Sequence, residues 1–134
     1  MKTVWNKKPK KKRGKSSVEK RLDDVCSRIV RSIGKCERCG SKNKQLHSHH
    51  IVGRVNRVTR WDLRNLICLC AGCHTFNTDS AHTDAESFKD FLLSYRPDDW
   101  YYIQEAKKGI KPTRKDKEAL YKELKKKLPP KEPI

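Results

Sequence analysis

Residues 66–74 read Leu66-Ile67-Cys68-Leu69-Cys70-Ala71-Gly72-Cys73-His74, and residues 45–53 read Gln45-Leu46-His47-Ser48-His49-His50-Ile51-Val52-Gly53. The first opens as a short apolar strand, Leu66 to Leu69, and runs into two thiols and an imidazole at the start of a short helix. The second predicts a strand from Gln45 to Val52, ended by Gly53. Cys70 and Cys73 form a Cys-x-x-Cys turn, and Cys36-Glu37-Arg38-Cys39-Gly40 supplies another upstream. Four thiolates suit a tetrahedral zinc ion, and two-residue gaps let each pair chelate from one turn. A redox disulfide is the rival for a single pair; two pairs in a basic chain with no secretory signal pattern favour metal. The long interval between the pairs requires an inserted element, which is where the histidine-rich strand falls.

Working outward, a helix is expected from Ser16 or Ser17, with Ser16 and Glu19 spaced as a capping box. Val18, Leu22, Val25, Cys26, Ile29, Val30 and Ile33 make its apolar face, and Gly34 stops it. Cys26 and Cys68 read as core residues. Residues 54–64 read as a loop. A second long helix is signalled at Thr83 with Glu86 three residues on; Phe88, Phe91, Leu92 and Tyr95 form its apolar side and Pro97 closes it. A helical piece follows from Trp100 to Lys108, then a basic helix from Thr113 to Leu128. Strands in the middle with helices on both sides predict an α+β fold.

Charge is concentrated at the two ends. Among 134 residues, 33 Lys and Arg face 16 Asp and Glu. Residues 1–21 hold ten basic groups against Glu19 alone, and residues 105–134 hold eleven against five acids. The crowded run containing Lys10, Lys11, Lys12 and Arg13 should repel itself and stay disordered unless a polyanion neutralises it. No apolar run approaches the roughly 18 residues of a membrane span and no apolar stretch follows the basic N-terminus, so a membrane protein, a secreted disulfide scaffold and an acidic binding module are not expected. A cytoplasmic setting is expected.

Three of the five histidines crowd into His47-Ser48-His49-His50, and His74 directly follows Cys73. His49-His50-Ile51, Asn65-Leu66 and Leu69-Cys70-x-x-Cys73-His74, preceded by Cys36 to Gly40, resemble the signature of HNH endonucleases with a double Cys pair. The resemblance covers roughly residues 34–80. It implies a ββα-metal core stapled by a structural zinc on Cys36, Cys39, Cys70 and Cys73. It also implies one divalent cation at the catalytic site; the helices and basic tails read above flank this core. By the resemblance His50 is the general base, His49 and His74 are metal ligands, and Asn65 holds the base-bearing segment by hydrogen bonding. The commonest family pattern has Asp where this chain has His49, which leaves a permuted role open to His47 on the same strand face. His82 lies outside the pattern and receives no role.

Elementary chemistry agrees with those roles. Adjacent residues on a strand point to opposite faces, so His49 and His50 can do different work. An imidazole with an ordinary pKa of about 6.5 can take a proton from water near neutral pH. Nitrogen ligands make a softer site than carboxylates, so Mn²⁺, Ni²⁺ or Zn²⁺ should compete well with Mg²⁺. Arg54, Arg57, Arg60 and Arg64 follow the base and can fork onto phosphate oxygens.

The resulting organisation is a basic tail at 1–15, a nuclease domain with flanking helices at 16–108, and a basic helix and tail at 109–134. The expected function is metal-dependent hydrolysis of DNA phosphodiester bonds by a compact phage or mobile-element enzyme, working in the host-cell cytoplasm. DNA is the expected partner, with phage packaging or recombination proteins and a homodimer as further candidates. The alternative is a zinc-stabilised nucleic-acid-binding module without catalysis. It shares the tails and the Cys cluster but gives no reason for His49, His50, Asn65 and His74 together.

Overall fold

A computed structural model describes residues 17–129. The expectations for residues 1–15, including Lys10, Lys11, Lys12 and Arg13, and for Ser16 lie outside the described residues. In chain order the elements are α1 (Val18–Arg31), β1 (Leu46–His50), a 3₁₀ turn (Leu63–Asn65), β2 (Leu66–Cys70), a π-helical turn (Gly72–Phe76), α2 (Ala85–Tyr95), α3 (Pro97–Ala106) and α4 (Arg114–Lys125). The architecture is α+β, with helices around one small sheet. Among the described residues no helix is long and apolar enough to cross a membrane.

The sheet is a single antiparallel pair in which Leu46 faces Cys70, Ser48 faces Cys68 and His50 faces Leu66. Every residue of β2 is buried. The reason is that both of its faces are covered. Ile67 and Leu69 join Phe88 and Leu92 of α2 in one core cluster, while Leu66 joins Leu22, Val25, Cys26, Trp61 and Leu124 in another. Cys26 and Cys68 are core residues, as expected, and burial pushes their thiols up to about 12 and about 11. Leu124 carries α4 onto α1, so this basic helix is docked along its apolar edge.

Several element ends differ from the sequence expectation. Ser17 caps α1 by accepting from the Lys20 amide, and Glu19 instead pairs with Arg57 and Lys117. The helix ends at Arg31, so Ile33 is exposed beyond it, and Gly34 takes φ +77° in the turn that follows. β1 is shorter than the stretch from Gln45 to Val52 because the Val52 amide and carbonyl are both taken by the Asn65 side chain. Asp84, not Thr83, caps α2, accepting from the Ser87 amide; Thr83 is held to Ser80 and Thr75. Pro97 does separate two helices, but as the first residue of α3, a position where its missing amide proton costs no hydrogen bond. α4 carries a complete capping box between Thr113 and Asp116.

Candidate active site

The four cysteines come together. The Cys36–Cys39 turn docks on β2 through Glu37, whose amide donates to the Cys68 carbonyl at 2.8 Å and whose carboxylate accepts from the Cys68 amide at 2.7 Å. Gly40 closes that turn at φ +76°, a conformation L side chains rarely adopt, with its amide on the Cys36 carbonyl. The sulfur atoms of Cys36, Cys39, Cys70 and Cys73 all lie within 4.8 Å of one another, with Cys39 and Cys70 at 3.7 Å. A tetrahedron with zinc–sulfur distances of about 2.3 Å has edges of about 3.8 Å, so the donor set fits such an ion. Burial alone would raise the Cys36 thiol, but amides of Cys39, Cys70 and Arg38 bring it down to about 7. Arg38 then bridges this turn to α2, stacking over Phe88 and Phe91 and donating to Ser87 and to the Asp79 carbonyl.

A second cluster lies nearby. His49 is 8% exposed and sits edge-on to Phe88, with the ring of His74 centred 5.1 Å away. His74 leaves the π-helical turn, a distortion that recurs at functional sites, closed here by the Asn77 amide on the Gly72 carbonyl. His82 completes the group: one nitrogen each from His49, His74 and His82 lies within 4.8 Å of the others. Its placement follows from two backbone hydrogen bonds, Ala81 to the Cys73 carbonyl and His82 to the His74 carbonyl, which fold residues 77–82 back on the ligand turn. Buried Ser80 locks that fold by donating to the Thr75 carbonyl. His82 carries no role in the sequence pattern; the residues between it and His74 form no continuous helix or strand, and only the fold-back brings the two together.

Neutral imidazoles are what a cation needs, and the site supplies them. Burial, reinforced by neighbouring imidazoles, pushes His49 down to about 3 and His74 to about 4. The Nε2 atoms of His74 and His82 are 3.0 Å apart. Two nitrogens about 2.1 Å from a shared ion, at tetrahedral to octahedral angles, would be about 3.0–3.4 Å apart, so His74 and His82 are spaced to share one divalent ion, with a His49 nitrogen within 4.8 Å of both as the third candidate ligand. The other nitrogen of His74, Nδ1, meets Nδ1 of His47 at 2.9 Å.

His50 projects to the opposite face of β1, as alternation requires. Its Nε2 lies 3.0 Å from the Arg60 carbonyl, an acceptor only, so the ring donates from Nε2 and Nδ1 carries the lone pair. Burial outweighs the carbonyl's effect and holds the His50 pKa below its ordinary value. Asn65 is fully buried and grips both ends of the loop between His50 and Arg60. Its Oδ1 accepts from the Val52 amide at 2.7 Å, and its Nδ2 donates to the carbonyls of Val52 and Thr59 at 3.0 and 3.1 Å.

A cleft of about 490 Å³ opens over His49, His50, His74 and His82, with Asp23 and Arg54 in its wall. The four arginines of the loop have different surroundings. Arg54 faces this cleft, mostly exposed and 3.1 Å from Asp23. Arg57 pairs with Glu19. Arg60 turns inward onto Asp23 at 2.6 Å, and Asp23 also accepts from the Trp61 indole at 2.8 Å. Arg64 lies over the Tyr102 ring and pairs with Asp99 of α3. Arg60 and Arg64 are therefore not among the cleft residues; they brace the loop.

Residues 36–80 match the family described as HNH endonuclease, which bears out the resemblance read from the Cys pairs, the histidine pair and Asn65. Neither the curated proteins nor the solved structures give a significant match.

Proposed function

We propose that the HNH endonuclease-type segment at 36–80 makes this protein a metal-dependent nuclease that hydrolyses DNA phosphodiester bonds. The observation that carries the reading is a half-buried imidazole of fixed tautomer, His50, in one cleft with three imidazoles able to share a cation. His50 Nδ1 accepts the proton of a water whose oxygen bonds to phosphorus as the phosphorus–oxygen bond to the leaving strand breaks. The Arg60 carbonyl keeps the ring in the accepting tautomer and steadies the imidazolium once the proton arrives. His49, His74 and His82 would hold a divalent cation, which would supply Lewis-acid stabilisation of the charge that builds on the phosphate and leaving oxygens. Arg54 exchanges its exposed pairing with Asp23 for a non-bridging phosphate oxygen. An all-nitrogen ligand set favours Mn²⁺, Ni²⁺ or Zn²⁺ over Mg²⁺. The Cys₄ cluster holds a structural zinc that fixes the ligand turn to the start of the sheet.

The test is supercoiled plasmid incubated with wild-type protein and with His50→Ala in Mn²⁺ or Mg²⁺. Removing a general base lowers the nicking rate about 10²–10⁴-fold while DNA binding persists. Equal inactivity of both proteins with retained binding would replace the nuclease by a zinc-stabilised binding module.

A further inference from the structure

We propose that a basic groove beside the cleft, built by residues 52–58 and the connection between α3 and α4, carries the DNA strand leading away from the scissile phosphate. This rests on the nuclease reading and extends it to the substrate's path. The groove, about 480 Å³, shares Gly53 with the histidine cleft. Its charged lining residues are Arg57, Lys107 and Lys111, all of one sign. It shares Arg57 and Val58 with a third hollow that ends at Lys127 of the α4 end, so the depressions form one continuous track. Val55 and Ile110, at 92% and 95% exposed, present bare apolar side chains along it.

The groove is preformed. Asn56 donates to the Lys107 carbonyl at 3.1 Å and accepts from the amides of Val58 and Thr59, pinning the loop to the end of α3. At Gly109 a Cβ would lie 3.3 Å from Val58 and 3.2 Å from the Ala106 carbonyl, so the absence of a side chain permits the close approach. The groove is lined by cations alone, with Arg57 drawn to Glu19 from outside it, and the third hollow adds Arg64 and Lys127 against Asp62, so the net charge along the track is complementary to a phosphodiester backbone and indifferent to base sequence.

The experiment compares Lys107→Gln/Lys111→Gln with Lys122→Gln/Lys126→Gln, an equal charge change at exposed positions on α4 and its C-cap, outside the track. Binding of a fluorescent DNA duplex is measured in Ca²⁺ between 50 and 200 mM KCl, with an RNA duplex of the same sequence as a second arm. Loss of two phosphate contacts makes the log–log salt slope about 1.8 less negative and weakens binding at least tenfold at low salt. The α4 pair should change the slope by less than about 0.5. Equal effects from both pairs, or none from the groove pair, would overturn the track. A larger loss on RNA than on DNA would overturn the choice of DNA. Failure of wild-type protein to bind DNA would instead sink the nuclease reading itself.

A separate observation assigns His47. We infer that it is a positioning residue for the metal centre, using the 2.9 Å contact between its Nδ1 and Nδ1 of His74. With His74 Nε2 directed to His82, a ligand at Nε2 requires the proton on Nδ1, and His47 is its acceptor. His47 therefore fixes the tautomer and ring angle of His74 without entering the ligand trio. Mn²⁺ affinity, read from the signal of free Mn²⁺, tests this on protein carrying one zinc per chain, at the Cys cluster. His47→Phe should weaken binding about 10- to 100-fold, and His47→Gln, which retains an acceptor, should restore most of it. Nicking by His47→Phe should recover at saturating Mn²⁺. Unchanged affinity in His47→Phe, or a Gln variant as weak as Phe, would overturn the assignment; wild-type protein without a Mn²⁺ site would refute the trio instead.

Discussion

Asn65→Ala is the perturbation whose size follows most directly from the structure. The side chain is fully buried and makes three hydrogen bonds, two to Val52 and one to Thr59. At a net of about 1 kcal/mol each, their loss destabilises the fold by about 3 kcal/mol. For a chain of this length that corresponds to a melting temperature lower by about 10 °C. The chemistry should suffer beyond the stability loss. Val52 and Thr59 bound the loop whose flanking residues are His50 and Arg60, and the His50–Arg60 contact sets the tautomer of the base. A base displaced by about 1 Å lowers the rate by about 10²-fold. Urea unfolding of zinc-loaded wild type and variant measures the first quantity. Plasmid nicking at saturating metal, at a temperature where both are folded, measures the second. A variant within about 0.5 kcal/mol of wild type, or one destabilised but fully active, would refute this account of Asn65.

Two further outcomes follow from the same geometry. Asp23 is partly buried; burial raises its carboxyl, but hydrogen bonds from Arg60 and Trp61 outweigh this and hold it below the ordinary 3.8. Its contribution is thus complete above about pH 4 and is lost as pH falls through the lowered folded value. Asp23→Asn should cost about 2 kcal/mol at pH 6–7, with the gap to wild type closing below pH 4 in urea titrations; a gap independent of pH would contradict the sign. Cys39→Ser removes one of four sulfur ligands, so bound zinc measured by elemental analysis should fall below half of the wild-type value and thermal stability should drop with it. Undiminished zinc would remove Cys39 from the site.

The parts of this molecule that were legible in the sequence are those with local rules. Two Cys-x-x-Cys turns announce a shared metal because each pair is complete within four residues. The alternation of His49 and His50 across a strand follows from the pleat alone. Leu66 to Leu69 reads as a buried strand without knowledge of what buries it. What escaped depends on contacts distant in sequence. The cap of α2 moved from Thr83 to Asp84 because Thr83 is engaged by Ser80 and Thr75 in the fold-back loop. That loop also brings His82 to His74, through backbone hydrogen bonds that carry no side-chain signature. The four arginines after His50 look equivalent as a string, yet the fold separates them: Arg54 faces the cleft, Arg57 lines the neighbouring groove beside Glu19, and Arg60 and Arg64 brace the loop on Asp23 and Asp99. Leu120, Leu124 and Leu128 recur at four-residue steps along the last helix, and only the structure shows that α1 and Trp61 cover the edge they make.

On the proposed reading His49, His74 and His82 hold one divalent ion beside His50, a base that takes no part in holding it. Equilibrium titration with Mn²⁺ of protein carrying one zinc per chain, at the Cys cluster, tests this directly. The account predicts one site per chain, weakened at least tenfold by His82→Ala and by His49→Ala, and unchanged in His50→Ala. Wild-type affinity in His82→Ala, or loss of the ion in His50→Ala with the fold intact, would contradict it.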